Sequence, residues 1–302
     1  MPTGRRPGMQ RGRKAPGIPP PETSVLVPLD GSEISASILT YAIELAQKFR
    51  ARLILLNVAG NDQGQMKAND YLGVIGSGLG AKGVHHEVLA QQGDPADEIA
   101  AAAERARCEL IVMSPHARVD GGVELVGSTA DRVIKSSKVP VMLIRPELVR
   151  STLRHWTKPP SFIVGLDGSA LAATALEYAT SYARRLGSDI VLVRATEKPV
   201  TLGGAARYYQ SPADVAMEYL KKVAVQVGEL GIRTRCEVFS GPAEQELVNA
   251  ANGEESAIIA LCTRGFTGRT GWVLGSVTDR VVRSARHPVL VIPPRAAKEI
   301  AR

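Results

Sequence analysis

What is missing from the chain narrows its class before any motif is read. No run of about 18 apolar residues occurs, so the sequence predicts no membrane-spanning helix and no membrane partner. No apolar stretch precedes the first strand-like segment, so no secretory signal is expected. Cysteine is scarce: Cys108, Cys236 and Cys262 are widely spaced and form no CxxC pair. That argues against a structural zinc and points to a reducing, cytoplasmic setting. Acid is absent from residues 1–21, where Arg5, Arg6, Arg11, Arg13 and Lys14 supply five of the chain's net seven positive charges. Rich in Pro and Gly, this tail lacks the material of a core, so residues 1–22 are expected to be disordered. A short basic tail can touch nucleic acid, but a solvated extension is the plainer reading, and no nucleic-acid partner is expected.

What is present is the composition of a globular protein, with 44% hydrophobic and 22% charged residues over 302. That length suggests two domains, each large enough to bury a core. The apolar run Ser24–Leu29 ends at Asp30-Gly31-Ser32, and Ser32 suits a helix N-cap. Ile34, Ile38, Tyr41, Ala42 and Leu45 then mark one face of a helix, and Leu53–Val58 reads as a second, parallel strand. The same order recurs from Phe162 through Asp167-Gly168-Ser169, a helix bearing Leu171, Ala175, Tyr178, Ala179 and Tyr182, and a strand Ile190–Ala195. Asp30 maps to Asp167 and Val58 to Ala195 at an offset of 137.

The ends of the two halves repeat as well. Gly127-Ser128-Thr129-Ala130-Asp131-Arg132-Val133 parallels Gly275-Ser276-Val277-Thr278-Asp279-Arg280-Val281, and Val139-Pro140-Val141-Met142 parallels His287-Pro288-Val289-Leu290. Here the offset is 148, so half one is 11 residues shorter between its second and third strands. The shortfall is expected to fall on a helix. In half two, residues 208–229 carry Val215, Tyr219, Val223 and Val227 at helical spacing. In half one the same region holds Gly73, Gly76, Gly78, Gly80 and Gly83, which at roughly 1 kcal/mol each predicts a frayed or mobile segment. The GxGxxG within it lacks a preceding strand and is discounted as a dinucleotide fingerprint.

Each half reads βαβαβαβαβ, the pattern of an α/β, doubly wound parallel sheet with helices on both faces. Ligands in such sheets sit at the carboxyl ends of the strands, at the switch point of strand order. Asp30 and Asp167 end the first strand of each half. The fourth strand of half two, Ala257–Leu261, runs into Cys262-Thr263-Arg264-Gly265-Phe266-Thr267-Gly268-Arg269-Thr270-Gly271-Trp272-Val273-Leu274-Gly275-Ser276 and then a helix. A glycine-rich loop between strand and helix lets the backbone approach a phosphate, and the helix's first free N–H groups point at it. If strands one and four are neighbours, the aspartate and this loop flank one crevice, the geometry of a mononucleotide site.

These residues resemble the universal stress protein family in its tandem-domain form, over residues 23–147 and 160–294. The family signature is Gly, two residues, Gly, nine residues, then Gly followed by Ser or Thr. Gly265 and Gly275-Ser276 match its second part, and Cys262 stands where the family has its first glycine. Val27-Pro28-Leu29-Asp30-Gly31-Ser32 and Pro140-Val141-Met142-Leu143-Ile144 fit the family's opening and close. The resemblance implies two Rossmann-like, adenine nucleotide alpha hydrolase-like domains, each with a five-stranded parallel sheet in the order 3-2-1-4-5.

It also implies a ligand, ATP or a related adenine nucleotide, with Mg²⁺ accompanying it. Carried over residue by residue, Asp30 and Asp167 would accept ribose hydroxyls or hold Mg²⁺ through water, the alternative being an Asx-type cap on the next helix. Val58 and Ala195 would read the adenine edge through their backbone, with Pro28 and Gly165 beside them. Gly265, Gly275, Ser276 and Val277 would hold phosphates in half two. Gly127, Ser128 and Thr129 are their counterparts in half one. There Ser114 and Ala117 replace both early glycines and Pro115 removes a backbone N–H, so half two is expected to be the better site.

Neither loop has the lysine of a GxxxxGK[ST] phosphate loop. The loop of half two has no carboxylate or glutamine to position water, so a regulatory protein of the stress response is expected rather than a dedicated ATPase, slow hydrolysis aside. Loop amides could lower the pKa of the Cys262 thiol, or the residue simply replaces a glycine at a strand end. His85-His86 points to opposite faces of a strand and does not suggest a metal site. The halves are expected to pair through their last strands about a pseudo-twofold axis, the linker near 150–160 permitting it, with a homodimer of such chains beyond that.

Overall fold

The computed structural model describes residues 23–115, 127–146, 158–196, 211–263, 275–293 and 295–296. The uninterrupted apolar runs become strands covered on both faces, as parallel sheets require. Half one holds β1 (Thr23–Pro28), β2 (Ala51–Ala59), β3 (His86–Gln92), β4 (Cys108–Met113) and β5 (Val141–Leu143). Half two holds β6 (Ser161–Gly165), β7 (Ile190–Thr196), β8 (Thr234–Ser240), β9 (Ala257–Cys262) and β10 (Val289–Ile292). They form one ten-stranded sheet ordered β3-β2-β1-β4-β5-β10-β9-β6-β7-β8. Each half is therefore the expected 3-2-1-4-5 parallel sheet, and the copies meet at β5 and β10, the only antiparallel pair among the described strands.

Alternation along the strands sorts the core into two layers. Val25, Val27, Ile258 and Ala260 face one helical layer, and Leu26, Ala257, Ile259 and Leu261 face the other. The first layer comprises α1 (Glu33–Ser37), α2 (Leu39–Phe49), α3 (Asp62–Ala81), α6 (Ala170–Leu186) and α7 (Pro212–Gly228). The second comprises α4 (Pro95–Arg105), α5 (Ser128–Ser136), α8 (Ala243–Asn252) and α9 (Ser276–Ser284). Both layers draw buried residues from both halves, so the core does not stop at the seam.

Four features differ from the sequence reading. The glycine-bearing region of half one is a 20-residue helix, α3, not a frayed segment. Ala68, Leu72, Gly76 and Leu79 form its buried stripe, and tertiary packing overrides the propensity cost. Gly76 is required for that packing: a Cβ there would lie 3.0 Å from His86 Nε2 and 3.2 Å from Val88 Cγ1. The 11-residue difference does not fall on the helix either, since α3 is longer than the 17-residue α7. It falls in the connection before it, two residues between β2 and α3 but 197–211 between β7 and α7.

Helix α7 begins at Pro212. The Ser211 hydroxyl accepts from the Asp214 amide, and the Asp214 carboxylate accepts from the Ser211 N–H. Its buried stripe is Ala216, Leu220 and Val227, whereas Val215 is 48% exposed, so the stripe is rotated from the one read in sequence. The first helix is also split at Ile38, where the Ser37 hydroxyl donates to the Ile34 carbonyl at 2.7 Å and competes with the helical ladder.

At the seam Val289, Leu290 and Val291 pair with Leu143, Met142 and Val141. Tyr182 of α6 donates to the Glu109 carbonyl of half one at 2.8 Å. Arg185 pairs with the Glu109 carboxylate, donates to the Phe49 carbonyl at 2.5 Å and lies 4.3 Å over the Phe49 ring. Because the core is shared, Leu290→Ala should cost about 2–5 kcal/mol, the usual range for a buried leucine. In a calorimetric melt it should lower one joint transition rather than split off half two.

Candidate functional site

The crevices open where β1 and β4, and β6 and β9, diverge at their carboxyl ends. Each begins with an aspartate turn. Asp30 Oδ1 accepts from the Ser32 amide at 2.9 Å and from the Ser32 and Ser35 hydroxyls at 2.6 Å each. Asp167 Oδ1 accepts from the Ser169 amide at 2.8 Å. Ser32 and Ser169 then cap the following helices, accepting from Ser35 N at 3.1 Å and Ala172 N at 3.2 Å. Both aspartates thus make the Asx-type cap that the sequence left as the alternative role. Gly31 and Gly168 follow at φ of +86° and +90°, a left-handed turn that side chains resist. Burial opposes ionisation of Asp30, but its hydrogen bonds from Ser32 and Ser35 outweigh that and hold its carboxyl below the usual range.

The far wall of each crevice is the start of the last helix. Gly275 and Gly127 occupy the N-cap positions of α9 and α5 and, having no side chain, supply no cap bond to the first-turn amides, which carry the positive end of each helix dipole at the crevice wall. The two halves differ beside these caps. In half one the Gly127 N–H donates to the Pro115 carbonyl at 2.7 Å, drawing the ends of the 116–126 loop together. Thr263 replaces Pro115, and among the described residues no such bond joins it to Gly275. Instead its N–H donates to the Ile292 carbonyl of β10 at 3.2 Å, and the Thr278 hydroxyl donates to the Cys262 carbonyl at 3.2 Å.

The cavities follow suit. Half two encloses about 440 Å³, and Gly165, Asp167, Ala195, Cys262, Gly275, Ser276 and Val277 all line it. Half one encloses about 220 Å³, lined by Pro28, Asp30, Val58, Gly127 and Thr129 but not Ser128. Only the first falls within the usual 300–1,000 Å³ of small-molecule sites. A side chain at Gly165 would crowd its neighbours, since a Cβ would lie 3.0 Å from Leu261 Cδ2 and 3.1 Å from Leu247 Cδ2. Leu247, Leu261, Val193 and Thr278 also line the larger cavity. Strand alternation signals Leu261 and Val193 in the sequence, and Thr278 is the third residue of the Ser276-Val277-Thr278 turn. Gly265, Arg264, Arg269, Trp272, Leu274, His116, Ala117 and His155 lie outside the described residues.

Other polar groups settle into local roles. His86 Nδ1 lies 2.9 Å from the Val84 carbonyl, and His85 is exposed just before β3. Arg194, which occupies the position of Asn57, stacks 5.0 Å over the Tyr219 ring beside Gly168. Among the described residues no helix is long and apolar enough to cross a membrane.

Cys262 is not an activated thiol. Burial pushes it up to about 12; a backbone hydrogen bond at Ala175 opposes the shift and the Asp167 carboxylate adds to it. It lies against the α6-side core, as a small residue filling a strand end. At pH 8, site-resolved alkylation of native Cys262 by iodoacetamide should be at least about 100-fold slower than that of an unfolded control. A raised thiol pKa stabilises the fold fully below the unfolded value of about 8.5, and that contribution is lost as pH rises toward about 12. Urea denaturation at pH 7 and 10.5 should therefore show a fall in stability that Cys262→Ala lessens.

Comparison with known proteins agrees with this geometry. The universal stress protein family model matches residues 23–145 and again 161–293. A universal stress protein of Methanocaldococcus jannaschii is 27% identical over 135 residues, covering 43% of this chain and 79% of that one. One of Mycobacterium tuberculosis is 29% identical over 178 residues, 55% of each chain, so the match spans about half of that relative's length. The crystal structure of a universal stress protein from Archaeoglobus fulgidus superposes with a TM-score of 0.72 at 24% identity, over 90% of this chain and 98% of that one, a likeness of fold. With two family matches that cover most of its length, the chain belongs to the universal stress protein family, in a two-copy arrangement.

Proposed function

We propose that this protein is a regulatory adenine-nucleotide-binding protein of the stress response, with one working site per chain, in half two. The observation that carries the reading is the contrast between the crevices: about 440 Å³ in half two and about 220 Å³ in half one. The larger cavity combines the apolar side chains of Leu247, Leu261 and Val193, a carboxylate at Asp167 and the Gly275-Ser276 start of α9. That set fits an adenosine phosphate: a flat apolar group, vicinal hydroxyls and an anion. ATP is the ligand proposed, held through backbone amides and the Ser276 hydroxyl. The residues also fit Mg²⁺, with Asp167 the carboxylate that would hold it through water.

Regulation rests on occupancy rather than turnover, because the loop Cys262–Ser276 contains no acid or glutamine to orient a water. A second reading, an interaction module without nucleotide, is favoured in half one by the smaller cavity and the Gly127–Pro115 bond beside it. It applies to that half, which serves half two as scaffold.

Titration calorimetry with ATP and Mg²⁺ should give one site per chain, and the Gly275→Ala, Ser276→Ala double variant should lose it. Saturation at 100 times Kd should stabilise the fold by about 2.7 kcal/mol. Two sites would sink the assignment of half one. No heat and no shift in melting temperature would leave the interaction module for the whole chain. Gly165→Pro copies Pro28 into half two and presses on Leu247 and Leu261, so it should weaken ATP by about tenfold or more, read in the same titration.

A further inference from the structure

Three arginines reach across the seam to the carboxyl end of a helix in the other half. Arg185 of half two bonds the Phe49 carbonyl at the end of α2. Arg295 of half two reaches the Ser136 carbonyl at the end of α5 at 3.4 Å. Arg145 of half one, half-buried just past β5, donates from Nη2 to the Val282 carbonyl of α9 at 3.2 Å. The last four carbonyls of a helix lack partners within it, and a cation there also complements the helix dipole.

The third contact matters for chemistry because of what lies at the other end of α9. Nine residues span about 13 Å, at 1.5 Å per residue, so the helix moves as one short rod. Its amino end is Gly275-Ser276, and both residues line the larger cavity. Asp279 N closes the first turn on the Gly275 carbonyl at 2.9 Å. Thr278 ties the same turn to the end of β9 through the Cys262 carbonyl.

We infer that Arg145 is a positioning residue for the half-two site: half one holds, through Arg145, the helix whose amino end receives the anionic part of the ligand. The ligand part of this inference rests on the nucleotide reading above, while the coupling part does not. Removal of the guanidinium lets the carboxyl end of α9 swing and weakens the dipole. The first-turn amides then lose their aim at the cavity. Arg295 supplies the control, since it makes the same kind of seam bond but to α5 of half one. A residue that merely holds the seam together would act alike at either place.

The test compares Arg145→Ala, Arg145→Lys and Arg295→Ala in the full chain by three readouts. These are the melting temperature, the hydrogen exchange of the Asp279 amide without ligand, and the calorimetric Kd for ATP with Mg²⁺. Arg145→Ala should speed exchange at Asp279 and raise Kd about two- to five-fold, the scale of a charge at a helix end. Arg145→Lys should recover part of both, and Arg295→Ala should change neither. Equal losses of melting temperature in the two alanine variants, with exchange at Asp279 and Kd unchanged, would overturn the inference and leave Arg145 a plain seam contact. If the wild-type chain takes up no ATP, the nucleotide reading fails. Exchange at Asp279 then still decides the coupling: faster in Arg145→Ala alone upholds it, and unchanged overturns it.

Discussion

Everything in this molecule hangs on a short antiparallel pairing, three residues of β5 against three of β10. Any strand left at a sheet edge presents unpaired N–H and C=O groups that invite pairing with another chain. Duplication within one polypeptide answers that need, because each half covers the edge of the other. The pairing also places α2 beside α6, and the apolar layers on both faces of the sheet continue across the junction. Arginine caps and the Tyr182–Glu109 bond then satisfy polar groups that a buried junction would otherwise strand.

From that frame follows the inequality of the two crevices. A symmetric pair of chains must carry identical sites, whereas a fused pair is free to differ. Here the differences are few and local. Proline stands at position 28 where the other half has Gly165, and Pro115 stands where it has Thr263. The first stands where the other half has a glycine whose Cβ would crowd Leu247 and Leu261. The second lacks an N–H, and its carbonyl engages Gly127, whereas Thr263 ties its loop to β10. The cavities these residues border hold about 440 Å³ in half two and about 220 Å³ in half one.

Much of this was legible in the residues alone. The strand order 3-2-1-4-5 came with the family resemblance and the pairing through the last strands with the duplication, while the repeat itself follows from apolar runs, turn residues and the Asp-Gly-Ser punctuation at 30–32 and 167–169. So does the gathering of Asp167, Ala195 and Gly275 at one crevice, because a parallel sheet brings the same ends of its strands together. The errors have a common cause. Helix α3 was misread because propensity counts glycines one at a time. Whether a glycine costs stability or makes room depends on a partner far away in sequence, here His86 against Gly76. The thiol of Cys262 was open to either reading for the same reason: its pKa is set by burial against α6, which no local pattern encodes. Leu247 was hidden because its role appears only once α8 lies over the end of β6.

The seam and the site are not separate parts of the design. Thr263, one residue past β9, is bonded to Ile292 at the end of β10, and β10 is the strand that pairs with half one. The glycine loop of half two is therefore anchored at its start to the seam strand, and the helix at its end is capped from across the seam. A ligand that draws the Gly275 turn inward has to work against both anchors. Any free energy it gains in one arrangement of the seam over another is returned as a bias on that arrangement. If half two takes up a nucleotide as proposed, that reciprocal bias is the physical means by which its occupancy is felt on the surface of half one.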